Sequence, residues 1–142
     1  MISFVPLPAM LAFVTGQHQP LDDYKIALYV DVSQFDEKTF RYVANDESQG
    51  PGYEAGGKVL TGFDAGIDDD VVYISFDNPV WGNASITAVG ALIYNYSKNN
   101  TAVAVLQFDD RHKSTVGRFT VHFPPAGKTA VITFRVRKPT NL

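Results

Sequence analysis

The chain predicts an all-β fold: an antiparallel β-sandwich, jelly-roll-like, with one short N-terminal helix and an extended N-terminal arm. Three observations carry this. Segments with apolar residues at every second position recur along most of the length, the period of a half-buried strand. Turn-forming clusters such as Lys98-Asn99-Asn100 and Pro124-Pro125-Ala126-Gly127 separate them at short intervals. Only one stretch carries both a helical start and a helical stop signal. Roughly seven or eight short strands with one helix argue for a sandwich or small barrel. An immunoglobulin-like sandwich is the second choice, although the Cys…Trp…Cys spacing is absent.

The elements follow in order. Residues 1–7 read as an irregular arm that exposes Ile2, Phe4, Val5 and Leu7, either folded back on its own core or docked on a neighbouring subunit. Residues 8–15 read as the helix, with Pro8 near its first position and Gly16 just past its end. Tyr24 to Val30 is the first clear strand; Tyr24, Ile26, Leu28 and Val30 share one face, and Lys25, Ala27 and Tyr29 the other. Ser33 to Ala44 reads either as a helical turn opened by Asp36-Glu37-Lys38 or as an edge strand over Phe40-Arg41-Tyr42-Val43. Gly57 to Phe63 reads as a strand, Asp64 to Asp70 as an acidic turn, and Val71 to Asp77 as a strand with Val72, Ile74 and Phe76 on one face. Pro79 stops any continuation of that strand. Ser85 to Tyr96 is a long strand in which Gly90 marks a bulge or a close approach, and it forms a hairpin with Ala102 to Phe108. Thr115 to Phe123 alternates again, and Thr129 to Val136 is the last strand.

Composition bounds the function. The 142 residues suit a single domain, 1–142, with the sandwich over 22–138. Apolar residues make up 45% of the chain, enough for a substantial core. A net charge of −3 gives no electrostatic footprint for nucleic acid. Without cysteine there are no disulfides and no thiolate metal sites. The apolar run Met1 to Val14 lacks a basic n-region and is broken by Pro6 and Pro8, so it reads as mature protein and not as a signal peptide. No membrane partner is expected.

No group of residues has the spacing of an active site. His18, His112 and His122 share no metal-ligand motif and read as surface or hydrogen-bonding histidines. Asp68-Asp69-Asp70 with Asp64 lacks the calcium-loop spacing and reads as a solvated turn. Nothing singles out a carboxylate pair among Glu37, Glu47 and Glu54, and Ser48, Ser85 and Ser97 lack a nucleophile elbow. The glycines at 50–57 are followed by no G-K-[ST] and no helix, so no phosphate loop is expected. We therefore expect no catalytic residues, no cofactor and no resident metal. Gly52-Tyr53-Glu54-Ala55-Gly56-Gly57-Lys58 reads instead as a backbone device, with glycines where φ is positive or another segment approaches. The tyrosines and Trp81 suit interfaces or sugar stacking, so a carbohydrate-binding jelly roll stays open beside ordinary core packing.

The order of five segments carries a resemblance. It runs from the helix ending at Gly16 with His18, through Tyr24-Lys25-Ile26-Ala27-Leu28-Tyr29 and the glycine stretch 52–62, to Trp81-Gly82-Asn83-Ala84-Ser85 with Gly90-Ala91-Leu92-Ile93-Tyr94-Asn95, and then Ala102 to Asp109. It resembles small structural proteins of tailed-bacteriophage virions over about residues 8–110. The resemblance implies a capsid cement or decoration protein, bound to the major capsid protein at the virion surface, made in the host cytoplasm and self-associating as a dimer or trimer. The contact elements expected on that reading are the arm (Ile2, Phe4, Val5, Leu7), the glycine loop (Tyr53, Gly56, Gly57) and the tail (Arg135, Arg137, Lys138). The alternatives are a tail or head–tail joining component and a carbohydrate-binding module of a fibre. Glycan binding would require a concave aromatic patch around Trp81.

Overall fold

The computed structural model describes residues 1–136, 138 and 139. Among the described residues the chain forms β1 (Ile2–Phe4), α1 (Leu7–Val14), β2 (Tyr24–Tyr29), β3 (Lys58–Val59), β4 (Asp64–Asp68), β5 (Val71–Ser75), β6 (Val80–Ala84), β7 (Thr87–Asn95), β8 (Thr101–Lys113), β9 (Gly117–Thr120) and β10 (Ile132–Arg135). They assemble into a five-stranded sheet in the order β1-β8-β7-β2-β3, a three-stranded sheet β10-β5-β4 and a two-stranded sheet β6-β9. Every pairing is antiparallel. The all-β sandwich with one short N-terminal helix is therefore the observed architecture.

The main core lies between the sheets. Ile26, Leu28, Ile93, Val103 and Leu106 of the large sheet meet Ile74, Trp81, Phe119 and Ile132 of the smaller ones, with Val121 just beyond β9. A second cluster lies on the opposite face of the large sheet: Ala27, Tyr29, Leu92, Tyr94 and Val105 are covered by Val32, Phe35, Tyr42 and Val43. The ambiguous segment 33–44 is thus neither a helix nor a strand of a sheet. It is irregular chain, tied by a single bridge between Arg41 and Thr101, that roofs the outer face. That roof explains a departure from the alternation read in β2: Ala27 and Tyr29 are as fully buried as Ile26 and Leu28, while Val30 emerges at the end. A strand covered on both faces loses its polar side.

Other boundaries shift for local reasons. The acidic stretch expected as a turn is mostly strand, because Asp64–Asp68 pairs in register with β5 and only Asp69-Asp70 turns. β4 lies at the edge of its sheet, where exposed charges are tolerated and discourage further pairing. The strand expected over 57–63 shortens to Lys58–Val59. Val72, expected inward with Ile74 and Phe76, is exposed. Trp81 lies in a strand that the alternation did not reveal, because Gly82 and Asn83 interrupt its pairing with β9. Gly90 sits at a register shift between β7 and β8, and a Cβ there would lie 2.3 Å from the Leu106 carbonyl oxygen, so both readings of that glycine apply. Residues 2–4 of the arm are regular structure: β1 pairs with β8, Ile2 opposite Gln107 and Phe4 opposite Val105. No helix of the described residues is long and apolar enough to cross a membrane.

Candidate interaction surface

The N-terminal segment is tied down on one side and bare on the other. The Met1 amine pairs with Asp109, the Ser3 hydroxyl donates to the Val131 carbonyl at 2.8 Å, and the Leu7 N–H donates to the Glu37 carbonyl at 2.8 Å. Pro8 stands in the first turn of α1, where its missing N–H costs nothing. At the other end Gln17 N–H bonds the Ala12 carbonyl at 2.8 Å and Gly16 takes φ +78°, closing the helix in a Schellman motif. The inner side of α1 carries Ala9 and Ala12, both buried, and Phe13, which packs on the main core. Its outer face carries Leu7, Met10, Leu11 and Val14 at the spacing of one helical stripe, and all four are exposed, Val14 by 85%. No charged residue occurs between Met1 and Thr15. Ile2 and Phe4, on the edge strand β1, are also exposed. Val5 is half-buried and packs on the main core.

The glycine loop is turned inward. The Glu47 carboxylate accepts hydrogen bonds from the Tyr42 and Tyr53 hydroxyls and, at 2.8 Å, from Gly56 N–H. Tyr53 Oη also accepts the Leu28 N–H at 2.9 Å, and Tyr94 Oη donates to the Gly56 carbonyl. Burial, then Glu47, pushes the Tyr53 phenol far above its ordinary value; burial first and Glu47 second push Tyr94 up to about 12. Both phenols keep their protons and remain donors. Gly56 is buried and Gly57 lies against Ile26. The loop therefore pins 47–57 to β2 and β7, and Gln49, Pro51, Gly52, Glu54 and Ala55 are what it presents outside.

The tail residues divide. Arg135 is exposed and pairs with Asp70 at 3.0 Å; Lys138 is exposed; Arg137 lies outside the described residues. The rest of the acidic turn is also engaged by the chain itself: Asp68 accepts the Lys128 N–H at 3.0 Å and Asp69 pairs with Lys128 Nζ at 2.9 Å.

The histidines occupy different settings. His18 is buried, with Nε2 3.3 Å from the Ala102 carbonyl and Nδ1 3.0 Å from Asn95 Nδ2. Burial holds its imidazole below the ordinary value, partly offset by the Ala102 bond and by Asp22. Asn95 also donates to Asp22, which Lys98 bridges at 2.9 Å. This network joins the post-helix loop to the β7–β8 hairpin. His112 and His122 are exposed. Trp81 is only 4% exposed, wedged between Tyr53 and Phe119, and presents no aromatic platform.

Taken with the fold, this defines the class: an all-β antiparallel sandwich whose apolar N-terminal face lacks a cover. No family model, curated protein or solved structure matches the chain.

Proposed function

We propose that the chain is a non-enzymatic structural protein of a tailed-bacteriophage virion, a capsid cement that docks on the outer lattice of the major capsid protein and stabilises it. The observation that supports this best is the exposed apolar stripe of Leu7, Met10, Leu11 and Val14 on α1, with Ile2 and Phe4 exposed on β1, in a stretch of sequence without a charged side chain. An exposed apolar stripe of this kind along a helix suits a protein interface. Covering one such side chain contributes about 1.5–3 kcal/mol. Weak single contacts sum when many copies sit on one lattice, and binding only the assembled lattice stabilises it by mass action. Tyr53, Gly56 and Gly57 shape the scaffold in this reading, and the contacts fall to the N-terminal face.

The test is binding of the purified protein to particles stripped of it, with the double substitution Leu11→Asp and Val14→Asp as control. Both positions are exposed, so the fold should survive. The wild type should saturate the outer shell and raise its melting temperature, and the variant should not bind. Density at the tail or neck of the virion would move the chain to a joining role, and equal binding of the variant would remove the N-terminal face from the proposal.

A further inference from the structure

The C-terminal half of β8 and strand β9 form a second surface, remote in its chemistry from the apolar face. β8 pairs with β1 only as far as Gln107, yet it runs on to Lys113. Along that extension β7 covers one of its edges, and β9 pairs only with β6. Each strand therefore has an edge with no ladder partner among the described residues. Between Gly90↔Gln107 and Ala88↔His112 the register advances two residues on β7 against five on β8. Within this irregular stretch of β8, Phe108 and His112 stand in edge contact, ring centroids 5.2 Å apart. Bulges of this kind re-aim side chains.

The result is a cleft of about 310 Å³ between the two strands, walled by Phe108, Phe119 and Phe123. An adjoining hollow of about 260 Å³ shares His112, Phe119 and His122 and adds Lys113 and Arg118. His112, His122, Lys113 and Arg118 are all exposed, and among the described residues none of the four makes an ion pair or a side-chain hydrogen bond. The carboxylate that lines the cleft, Asp109, is already paired with the Met1 amine.

We infer that this cleft binds an extended acidic peptide segment of a partner protein, with an apolar side chain between the three phenylalanines and neighbouring carboxylates on the basic rim. Three features select a peptide. The bare strand edges offer main-chain donors and acceptors that an extended chain can use. The basic rim complements carboxylates. The phenylalanine rings are at most 8% exposed, so they offer a slot for a side chain and no face on which a sugar ring could stack. The inference does not depend on the virion reading.

The experiment is a titration of the full chain, followed by amide NMR shifts, with a capped hexapeptide of alternating Glu and Phe. Its Gln-for-Glu counterpart, a galacturonate trisaccharide and inorganic phosphate are the comparison probes. The acidic peptide should shift Phe108 to Lys113 and Gly117 to Thr120 saturably. The double substitution Lys113→Ala and Arg118→Ala should weaken it about tenfold, the effect of losing two exposed charge contacts. Absence of saturable shifts, equal binding of the Gln peptide, or tighter binding of the sugar acid or phosphate would each overturn the inference.

Discussion

A Cβ at Gly57 would lie 1.8 Å from the Ile26 carbonyl oxygen, and the residue has φ +81°. Both the backbone conformation and the contact exclude a side chain, so Gly57→Ala must push β2 and the loop apart. We expect a loss of roughly 2–4 kcal/mol in urea unfolding, against less than about 1 kcal/mol for Ala55→Ser on the exposed side of the same loop. His18 sets a pH dependence. The folded state holds its imidazole low, so the unfolded chain takes up the proton first. Stability should therefore fall as the pH drops below about 6.5 and level off beneath the folded-state value. His18→Gln should flatten the slope of the urea midpoint between pH 7 and 5, whatever its effect on the midpoint itself. Asp22 does not confuse that window. Burial raises its carboxyl, but the bonds from Asn95, Lys98 and Gln19 outweigh this and hold it low, so its contribution is lost only below the ordinary carboxylate value.

At the scale of elements, the β7–β8 hairpin closes through Lys98 to Thr101, with Asn99 at φ 57° and Asn100 at φ 59°. Two successive left-handed residues define a type I′ turn, which matches the twist of the paired strands and favours Asn followed by Gly. Asn100→Gly should stabilise by a few tenths to about 1 kcal/mol, and Asn99→Ala with Asn100→Ala should cost about 1–2 kcal/mol, both read from thermal unfolding. This turn and the hairpin were legible because both signals are local: the turn residues and the alternation beside them. The helix was legible for the same reason, from Pro8 and Gly16. β4 was not, since its strand state rests on pairing with Val71 to Ser75 and its own residues favour a turn. Gly90 marked the register shift between β7 and β8, but not that the extra residues lie on β8, which follows from how far β7 and β8 each run between fixed partners.

For the whole molecule, the arm belongs to the sandwich as well as to its surface. β1 closes one edge of the five-stranded sheet, and Met1 and Val5 pack on the main core. Deleting residues 1–7 should cost on the order of 3 kcal/mol from lost strand bonds and uncovered apolar area. A deletion would therefore confuse loss of binding with loss of fold, which guanidinium unfolding of the truncated chain can measure. The exposed pair Leu11 and Val14 separates the two, because substitution there leaves the inner face of α1 intact. Of the contact residues expected from sequence, Ile2, Phe4 and Leu7 are exposed, while Tyr53 and Gly56 are turned into the fold. Met10, Leu11 and Val14, which the proposed function adds, were not read from sequence, although their helical spacing without any intervening charge was there to be read.

Period-two alternation, turn residues and helix stops act over a few neighbours, so the amino-acid order alone determined the all-β class, the single helix and the β7–β8 hairpin. Which apolar residues stay outside is a property of packing: Leu11 and Leu28 are equally hydrophobic, yet one is 63% exposed and the other wholly buried. Tertiary structure alone decided that segment 33–44 roofs the large sheet, that Trp81 is core, and that two bare strand edges flank a basic cleft. Each depends on segments far apart in the chain meeting in space, and no local pattern records which ones meet.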